Sequence, residues 1–377
     1  MATSRAWTFT ARGAPRSVLS LTSQPLPTLP PSRAQLAKAK PNDGDEWLAI
    51  KVAYAGLNPG GHFYLTLIPA AARAKTAVPD MDLSGVVTDV WSGGSSSAAE
   101  RQRRFVRGDR VAALIPVGYG FPTGTGALAE HVVLPAKYAV AVPPQVPLRD
   151  AGCVLTAGCT ALTTVRAAGL KKGDRVLVYG ASGGVGTLAV QMARDAVGPR
   201  GTVVAVCSGR NAEMVMGLGG VDEVVDYTAA GGRVSDSLRE KFGKEGKKFD
   251  AVVDCAGVQD VYVHCASYLR PGGVYASVGI KPAANTYGGF ARAVWTMQMN
   301  ALWPVSPWLG GTGRRWKGTT MMDPGRGLME DVVGMLADGR VKVFSGKEVG
   351  FERAVDGYEV VGSGRARGKV VVRVNGE

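Results

Sequence analysis

One stretch constrains the fold more than any other: VLVYGASGGVGTLAVQMA, residues 176–193. A short apolar run meets glycines at 180, 183, 184 and 186, then takes on helical spacing. Glycines permit a tight turn and let a ligand approach the backbone closely. A helix start presents unpaired N–H groups and the positive end of its dipole, which suits a pyrophosphate. The spacing is G-x-x-G-G-x-G rather than the plain G-x-G-x-x-G, and a glycine cluster alone is weak evidence. Its place between strand and helix, at the head of a β-α series, gives it weight. We read Gly180, Ala181, Ser182, Gly183, Gly184, Val185 and Gly186 as cofactor-binding. The competing reading is a structural turn with close helix packing.

The series that follows predicts strands over 175–179, 202–207, 223–226, 250–254 and 274–278, and helices over 185–197, 211–218, 235–242 and 259–269. A short helical pattern, 162–168, precedes it. Apolar strands alternating with helices argue a parallel sheet covered on both faces. Cys255 and Gly279 follow the fourth and fifth strands and join the cofactor-binding set.

The end of the second strand, VVAVCSGRN, discriminates between cofactors. A chain preferring NAD often places a carboxylate there for the ribose 2′-hydroxyl. Here stand Cys207, Ser208, Gly209, Arg210 and Asn211. Arg210 can grip a 2′-phosphate, with Ser208 and Asn211 beside it, which favours NADP(H). Tyr227, after the third strand, would lie over the adenosine end or pack as an ordinary sheet-edge tyrosine.

The first 150 residues contain short alternating runs separated by turn residues, which predict a mostly β domain. Residues 31–45 and 92–104 are polar and irregular and read as exposed excursions. A helix is expected over 327–338, another over 351–361, and a final strand over 369–374, which would return to the first domain. At 377 residues the chain suits two domains. Its formal charge of +13 sits in short groups such as 101–107 and 314–317, not in one stripe, so nucleic acid is not expected as a partner. The five cysteines include no C-x-x-C pair, and the three histidines are scattered, so no metal-ligand spacing occurs. Buried thiols suit a reducing compartment, and a cytoplasmic location is expected. A mitochondrial location and a lipid surface remain as alternatives.

The segments AGLNP, DLSGVV, FVRGDRV, GALAEHVVLP, AGCTAL, GASGGVGTLAVQMA and GRARGKVVV occur in this order across nearly the whole chain. With them the chain resembles the zinc-independent quinone-oxidoreductase branch of the medium-chain dehydrogenase/reductase family, and within it the reticulon-interacting-protein-like reductases of fungi and mitochondria. The resemblance implies an α/β chain. A GroES-like β domain would come from residues 1–148 and 345–377, and a Rossmann NADP-binding domain from 149–344, with the nicotinamide in the cleft between them. Zinc-dependent relatives carry a cysteine after the first-domain core strand, a histidine near Gly61 and a four-cysteine lobe around 92–107. Here that lobe has no cysteine and His62 has no cysteine partner, so no metal is expected. Hydride transfer from NADPH to a quinone, or to the C=C of an α,β-unsaturated carbonyl compound, is the implied reaction.

Family members often have NPVD where this chain has NPGG, so the usual acid position has become Gly60 or Gly61. Asn58, Tyr64 and Tyr119 are the catalytic candidates: Asn58 to orient substrate or nicotinamide, the tyrosines to donate a hydrogen bond or a proton. Each also has a plain reading as a turn cap or packing residue. Cys159 reads as packing.

Residues 287–313 hold Trp295, Trp303 and Trp308 and form an apolar aromatic insertion. It reads as a lid on the substrate cleft, as a homodimer surface or ordinary core, or as a peripheral membrane contact with Arg314 and Arg315 on phosphates. Pro304 and Pro307 argue against a spanning helix. The expected partner is a small apolar quinone or enone. A trans-acting enoyl reductase for acyl or polyketide thioesters, and a non-catalytic NADPH-binding scaffold at a membrane surface, are the alternatives.

Overall fold

Parallel strands buried on both faces read as unbroken apolar runs. In the computed structural model the runs of the second half of the chain pair accordingly. The structure describes residues 2–31, 35, 46–92, 104–229, 231–302 and 306–376. The excursions expected over 31–45 and 92–104 fall largely outside the described residues, and Trp303 falls outside them.

Along the chain the strands are β1 (Thr3–Thr8), β2 (Ser20–Pro25), β3 (Glu46–Leu57), β4 (Asp82–Ser92), β5 (Arg110–Leu114), β6 (His131–Pro135), β7 (Ala139–Ala141), β8 (Arg175–Tyr179), β9 (Thr202–Cys207), β10 (Glu223–Asp226), β11 (Phe249–Asp254), β12 (Leu269–Ser277), β13 (Arg315–Gly318), β14 (Ser345–Gly350) and β15 (Lys369–Arg373). They and their helices form two units. The first comprises Met1–Cys159, Met322–Asp338 and Ser345–Glu377; the second comprises Thr160–Met321 and Gly339–Phe344.

In the first unit a seven-stranded sheet runs β14-β15-β3-β4-β5-β7, with β6 also on β3. β3 is its spine. Its first half pairs antiparallel with β6, its last residues pair antiparallel with β15, and its other edge pairs with β4. The C-terminal strand thus closes the sheet that the N-terminal half begins, as expected of a GroES-like domain built from both chain ends. Trp47, Ile50, Leu83, Val111, Leu134, Phe351 and Val372 lie in its core. The hairpin β1–β2 docks through the Trp7 indole, which donates to the Phe351 carbonyl at 2.8 Å.

The division differs from the expected 149–344 in two places. The chain passes between units inside one helix, Leu148–Ala168, of which only 162–168 is read as helical from sequence. That helix is apolar nearly all round and buried over most of its length, so it lacks the one-sided pattern that marks a surface helix. The helix Gly325–Ala337 belongs to the first unit. Arg326 donates to the Ala136 carbonyl at 2.6 Å, and Val332 lies against Gly158.

In the second unit six parallel strands run β10-β9-β8-β11-β12-β13, a Rossmann-like sheet. Leu177, Val204, Val252, Tyr275 and Trp316 fill one of its faces. Two elements depart from expectation. The helix expected over 259–269 stops at Val263, and a 3-10 turn, Cys265–Ser267, leads into β12. The Tyr268 hydroxyl bonds back to the Val261 carbonyl, and the Phe249 amide donates to the Tyr268 carbonyl at 2.8 Å, so the chain is turned into the sheet there. The basic cluster 314–317 leads into and overlaps the edge strand β13: Trp316 is buried, Arg314 donates to the carbonyls of Leu269, Gly313 and Ala266, and Lys317 donates to that of Ala167. Arg314 therefore serves the fold and is not presented to a lipid phosphate.

The insertion forms a helix, Tyr287–Leu302, in which Ala293 is the buried residue. Tyr287, Phe290, Trp295 and Leu302 are exposed, and Trp308 is 97% exposed in the unit, so an ordinary core role does not hold.

Gly85, in the DLSGVV segment, sits where β4 crosses β3. A Cβ there would lie 2.1 Å from the Lys51 carbonyl oxygen. Gly85→Ala should therefore destabilise the protein by about 3 kcal/mol, read by urea denaturation; an unchanged midpoint would contradict this packing.

Candidate functional site

The second unit carries a cradle at the C-terminal ends of its strands. The chain leaves β8 toward β9 and β10 on one side, and β11 to β13 lie on the other, so the β8–β11 boundary is a topological switch point. Open parallel sheets bind ligands outside such a point. The glycine turn sits there. Gly180 has φ 76°, a conformation glycine adopts freely, and its N–H and that of Ala181 donate to the Val206 carbonyl at 3.1 Å. A Cβ on Gly186 would lie 2.1 Å from the Gly180 oxygen, so only glycine lets the helix start press so closely on the turn. Gly183 stands before the helix Gly184–Val197, and among the described residues no side chain caps its start. Ser182, Gly183, Gly184 and Val185 are partly exposed, while Ala181 is buried beneath them.

The loop after β9 closes one side. Asn211 is buried and donates from Nδ2 to the Ser182 hydroxyl at 3.0 Å, while its Oδ1 has no partner among the described residues. Ser208 is buried and Arg210 is exposed. Tyr227 follows β10, with its N–H on the Cys207 carbonyl at 3.1 Å and its ring 45% exposed. Cys255 donates its N–H to the Tyr179 carbonyl at 2.9 Å and is half-buried. Gly279 follows β12 with φ 122°. The expected cofactor residues thus share one edge of one sheet. A helix start with exposed N–H groups, pressed on a glycine turn, and an orphan buried acceptor fit a dinucleotide phosphate and its ribose.

Two carboxylates of this edge are missed by sequence reasoning. Asp226 Oδ1 accepts the N–H groups of Gly209 at 2.7 Å and Thr228 at 2.8 Å, and holds the Arg210 loop. Asp254 is fully buried. Its Oδ1 accepts from the N–H groups of Ala256 and Gly257, its Oδ2 from the hydroxyls of Tyr275 and Ser277. Burial pushes its pKa up. Both look like ordinary strand ends in the sequence, because their partners are backbone amides or lie on the next strand.

The first unit holds a buried polar cluster around Asn58. Asn58 follows β3 and is 3% exposed. Its Nδ2 donates to the Gly56 carbonyl at 3.1 Å and to Asp82 Oδ2 at 3.2 Å, and its Oδ1 accepts from Lys369 Nζ at 2.6 Å. Lys369, the first residue of β15, lies 3.7 Å from Asp82 Oδ2 and is also buried. Asp82 Oδ1 accepts from the Thr156 amide at 2.9 Å and hydroxyl at 2.5 Å. The Asn58 N–H donates to Asp80 Oδ1 at 3.0 Å, and the Tyr358 hydroxyl donates to Asp80 Oδ2. Burial pushes the Asp80 carboxyl up to about 7, against the pull of the Tyr358 hydroxyl and Lys369 and with a push from Asp82.

The tyrosine candidates lie elsewhere. Tyr64 is stacked on Phe121 with centroids 4.0 Å apart and meets Phe9 edge-on. Its hydroxyl is buried without a hydrogen-bond partner among the described residues, and burial pushes its pKa up to about 12. Tyr119 is buried against Trp47 and Tyr138. The geometry describes both as aromatic core; only Asn58 of the three stands in the polar cluster. Cys159 is buried, and burial raises its thiol pKa, as a packing role requires.

A zinc ion would need three or four N, S or O ligands. Among the described residues no three His, Cys, Asp or Glu side chains gather for one. Beside Asp82 the cationic place is taken by the Lys369 ammonium, and the His62 ring lies against Gly362. This donor set does not fit zinc.

Residues 219–372 match the family model described as zinc-binding dehydrogenase. Over 404 residues the chain is 31% identical to the trans-enoyl reductase poxH of Penicillium oxalicum, covering 100% of this chain and 99% of that protein. It is 31% identical over 310 residues to the chloroplast envelope quinone oxidoreductase homolog of Arabidopsis thaliana, covering 81% of this chain and 82% of that one. The fold matches the quinone oxidoreductase of Coxiella burnetii with a TM-score of 0.71, at 23% identity and over 99% and 100% of the two chains.

The raised Asp80 pKa couples stability to pH. Between about pH 4 and 7 the folded chain holds a proton that the unfolded chain releases, so this group's stabilisation fades as pH rises through that window. Asp82, Lys369 and Tyr358 face it. Asn tolerates a positive φ and stays neutral. Relative to Asp80→Asn, the wild-type protein should lose on the order of 4 kcal/mol between pH 4 and 7.5. Urea denaturation at both pH values measures this, and a difference independent of pH would contradict it.

Proposed function

Because the chain belongs to the medium-chain dehydrogenase/reductase superfamily, in its quinone-oxidoreductase and enoyl-reductase branch, we propose that this oxidoreductase reduces the C=C of an α,β-unsaturated carbonyl compound with NADPH. We place enoyl thioesters ahead of free quinones as its substrates. The observation that carries the reading is the glycine cradle at the β8–β11 switch point, with the orphan Asn211 Oδ1 beside it. When bound, NADPH supplies a hydride from C4 of its nicotinamide.

The chain's own residues supply binding and orientation. The first turn of the helix Gly184–Val197 would hold the pyrophosphate through its N–H groups. Arg210 would reach the 2′-phosphate from its exposed position, with Ser208 beneath it. Asp226, the carboxylate of that loop, is turned to backbone amides and so leaves the guanidinium for the phosphate. Tyr227 would cover the adenosine with its exposed ring. In the first unit the Asn58 amide is locked between Lys369 and two carboxylates, so its orientation is fixed before substrate arrives. We assign no dedicated proton donor. The choice of enoyl thioesters rests on the relative named trans-enoyl reductase, which matches the chain end to end.

Fluorescence titration with NADPH and NADH tests the cofactor assignment. Arg210→Ala should weaken NADPH binding about tenfold and leave NADH binding within about twofold. An equal effect on both cofactors, or none, would remove Arg210 from the 2′-phosphate site.

A further inference from the structure

Residues 61 and 80 contradict their own local rules in complementary ways. Asp80 has φ 66°, and among the described residues it is the only non-glycine with positive φ. Such a backbone favours glycine. Gly61 lies in the helix Pro59–Thr66, where glycine is a poor choice, and it is buried. A Cβ on residue 61 would lie 2.4 to 2.7 Å from the Asp80 carboxyl atoms, inside the space they occupy. So glycine stands where a side chain would collide, and a carboxylate is reached from a position suited to glycine.

Asp80 is not a tolerated accident. Its carboxylate accepts from the Asn58 N–H and the Tyr358 hydroxyl, and it lies 3.4 Å from Asn58 Nδ2. A strained residue persists where its surroundings over-determine it, and such residues cluster at functional sites. The NPGG segment places its two glycines directly after Asn58 and Pro59.

We propose that Asp80 delivers, from the approach to β4, the carboxylate that the NPGG segment lacks, so that residues 61 and 80 form one reciprocal pair sharing a single side-chain position. Asp80 then acts as a positioning residue. It holds Asn58 by its backbone N–H and holds the Tyr358 hydroxyl, and through Asn58 it places the partner of the Lys369 ammonium. Gly61 is what makes room for it. The kinetic half of this inference rests on the reduction proposed above, whereas its stability half does not.

A double-variant cycle tests it, with Asp80→Gly, Gly61→Asp and the two together, each read by thermal unfolding and by kcat and KM for enoyl thioester reduction. Asp80→Gly relieves the backbone yet should lower kcat about tenfold, with the NADPH Kd unchanged. Gly61→Asp alone should be poorly stable, because two carboxylates meet in one space. The double variant should recover stability relative to Gly61→Asp and return kcat to within about threefold of wild type. Should Gly61→Asp not fold, the comparison of the double variant with Asp80→Gly decides. A higher kcat on adding Asp at 61 supports the pair, and no gain overturns it. Wild-type kcat in Asp80→Gly, or a double variant as unstable as the worse single, also overturns it. If the wild-type protein reduces no acceptor, the reaction reading fails, and the unfolding data alone still decide the pairing.

Discussion

The contact between Lys369 and the Asn58–Asp82 pair is the constraint on which the first unit depends. It joins the last strand to residues of the first hundred positions, Asn58 at a separation of 311. An unpaired buried ammonium or carboxylate is costly, so each group is kept only because the others are present. β15 can place Lys369 there only by pairing with the end of β3, and β4 can place Asp82 there only by pairing with the same residues. The polar cluster therefore fixes the register of three strands at one point. It also holds Asn58 at the start of the NPGG segment, where the chain turns from sheet to helix.

The second unit rests on a different economy. Its strands β8, β9 and β11 are buried on both faces, and the polar groups that matter lie at the C-terminal ends of the sheet. Asp226 and Asp254 each hold backbone amides there, and Asn211 ties the loop after β9 to the glycine turn. These contacts pre-shape an edge whose remaining donors are helix N–H groups and an arginine. Such an edge favours an anionic ligand, because the donors are fixed before the ligand arrives.

Much of this was legible in the sequence, and the reasons are local. β8, β9 and β10 occupy the expected residues because apolar runs bounded by Gly, Asp and Ser leave few other registers. The glycine turn was readable from its place between strand and helix. What escaped has partners far away in sequence. β13 looks like a basic surface cluster until Trp316 and Arg314 are seen to face inward. Tyr64 and Tyr119 read from sequence as hydrogen-bond or proton donors, but rings at Phe9, Phe121, Trp47 and Tyr138 pack against them. The NPGG segment looked like a lost acid, since nothing local tells that Asp80 occupies the space beside Gly61.

The most direct test of the account is label transfer. The protein would be incubated with NADPH carrying deuterium at both C4 positions and with an enoyl thioester of pantetheine, and the product mass measured. The account predicts a saturated thioester carrying one deuterium at the β-carbon, with the α-hydrogen drawn from solvent. Unreduced thioester, or a saturated product without deuterium, would contradict it.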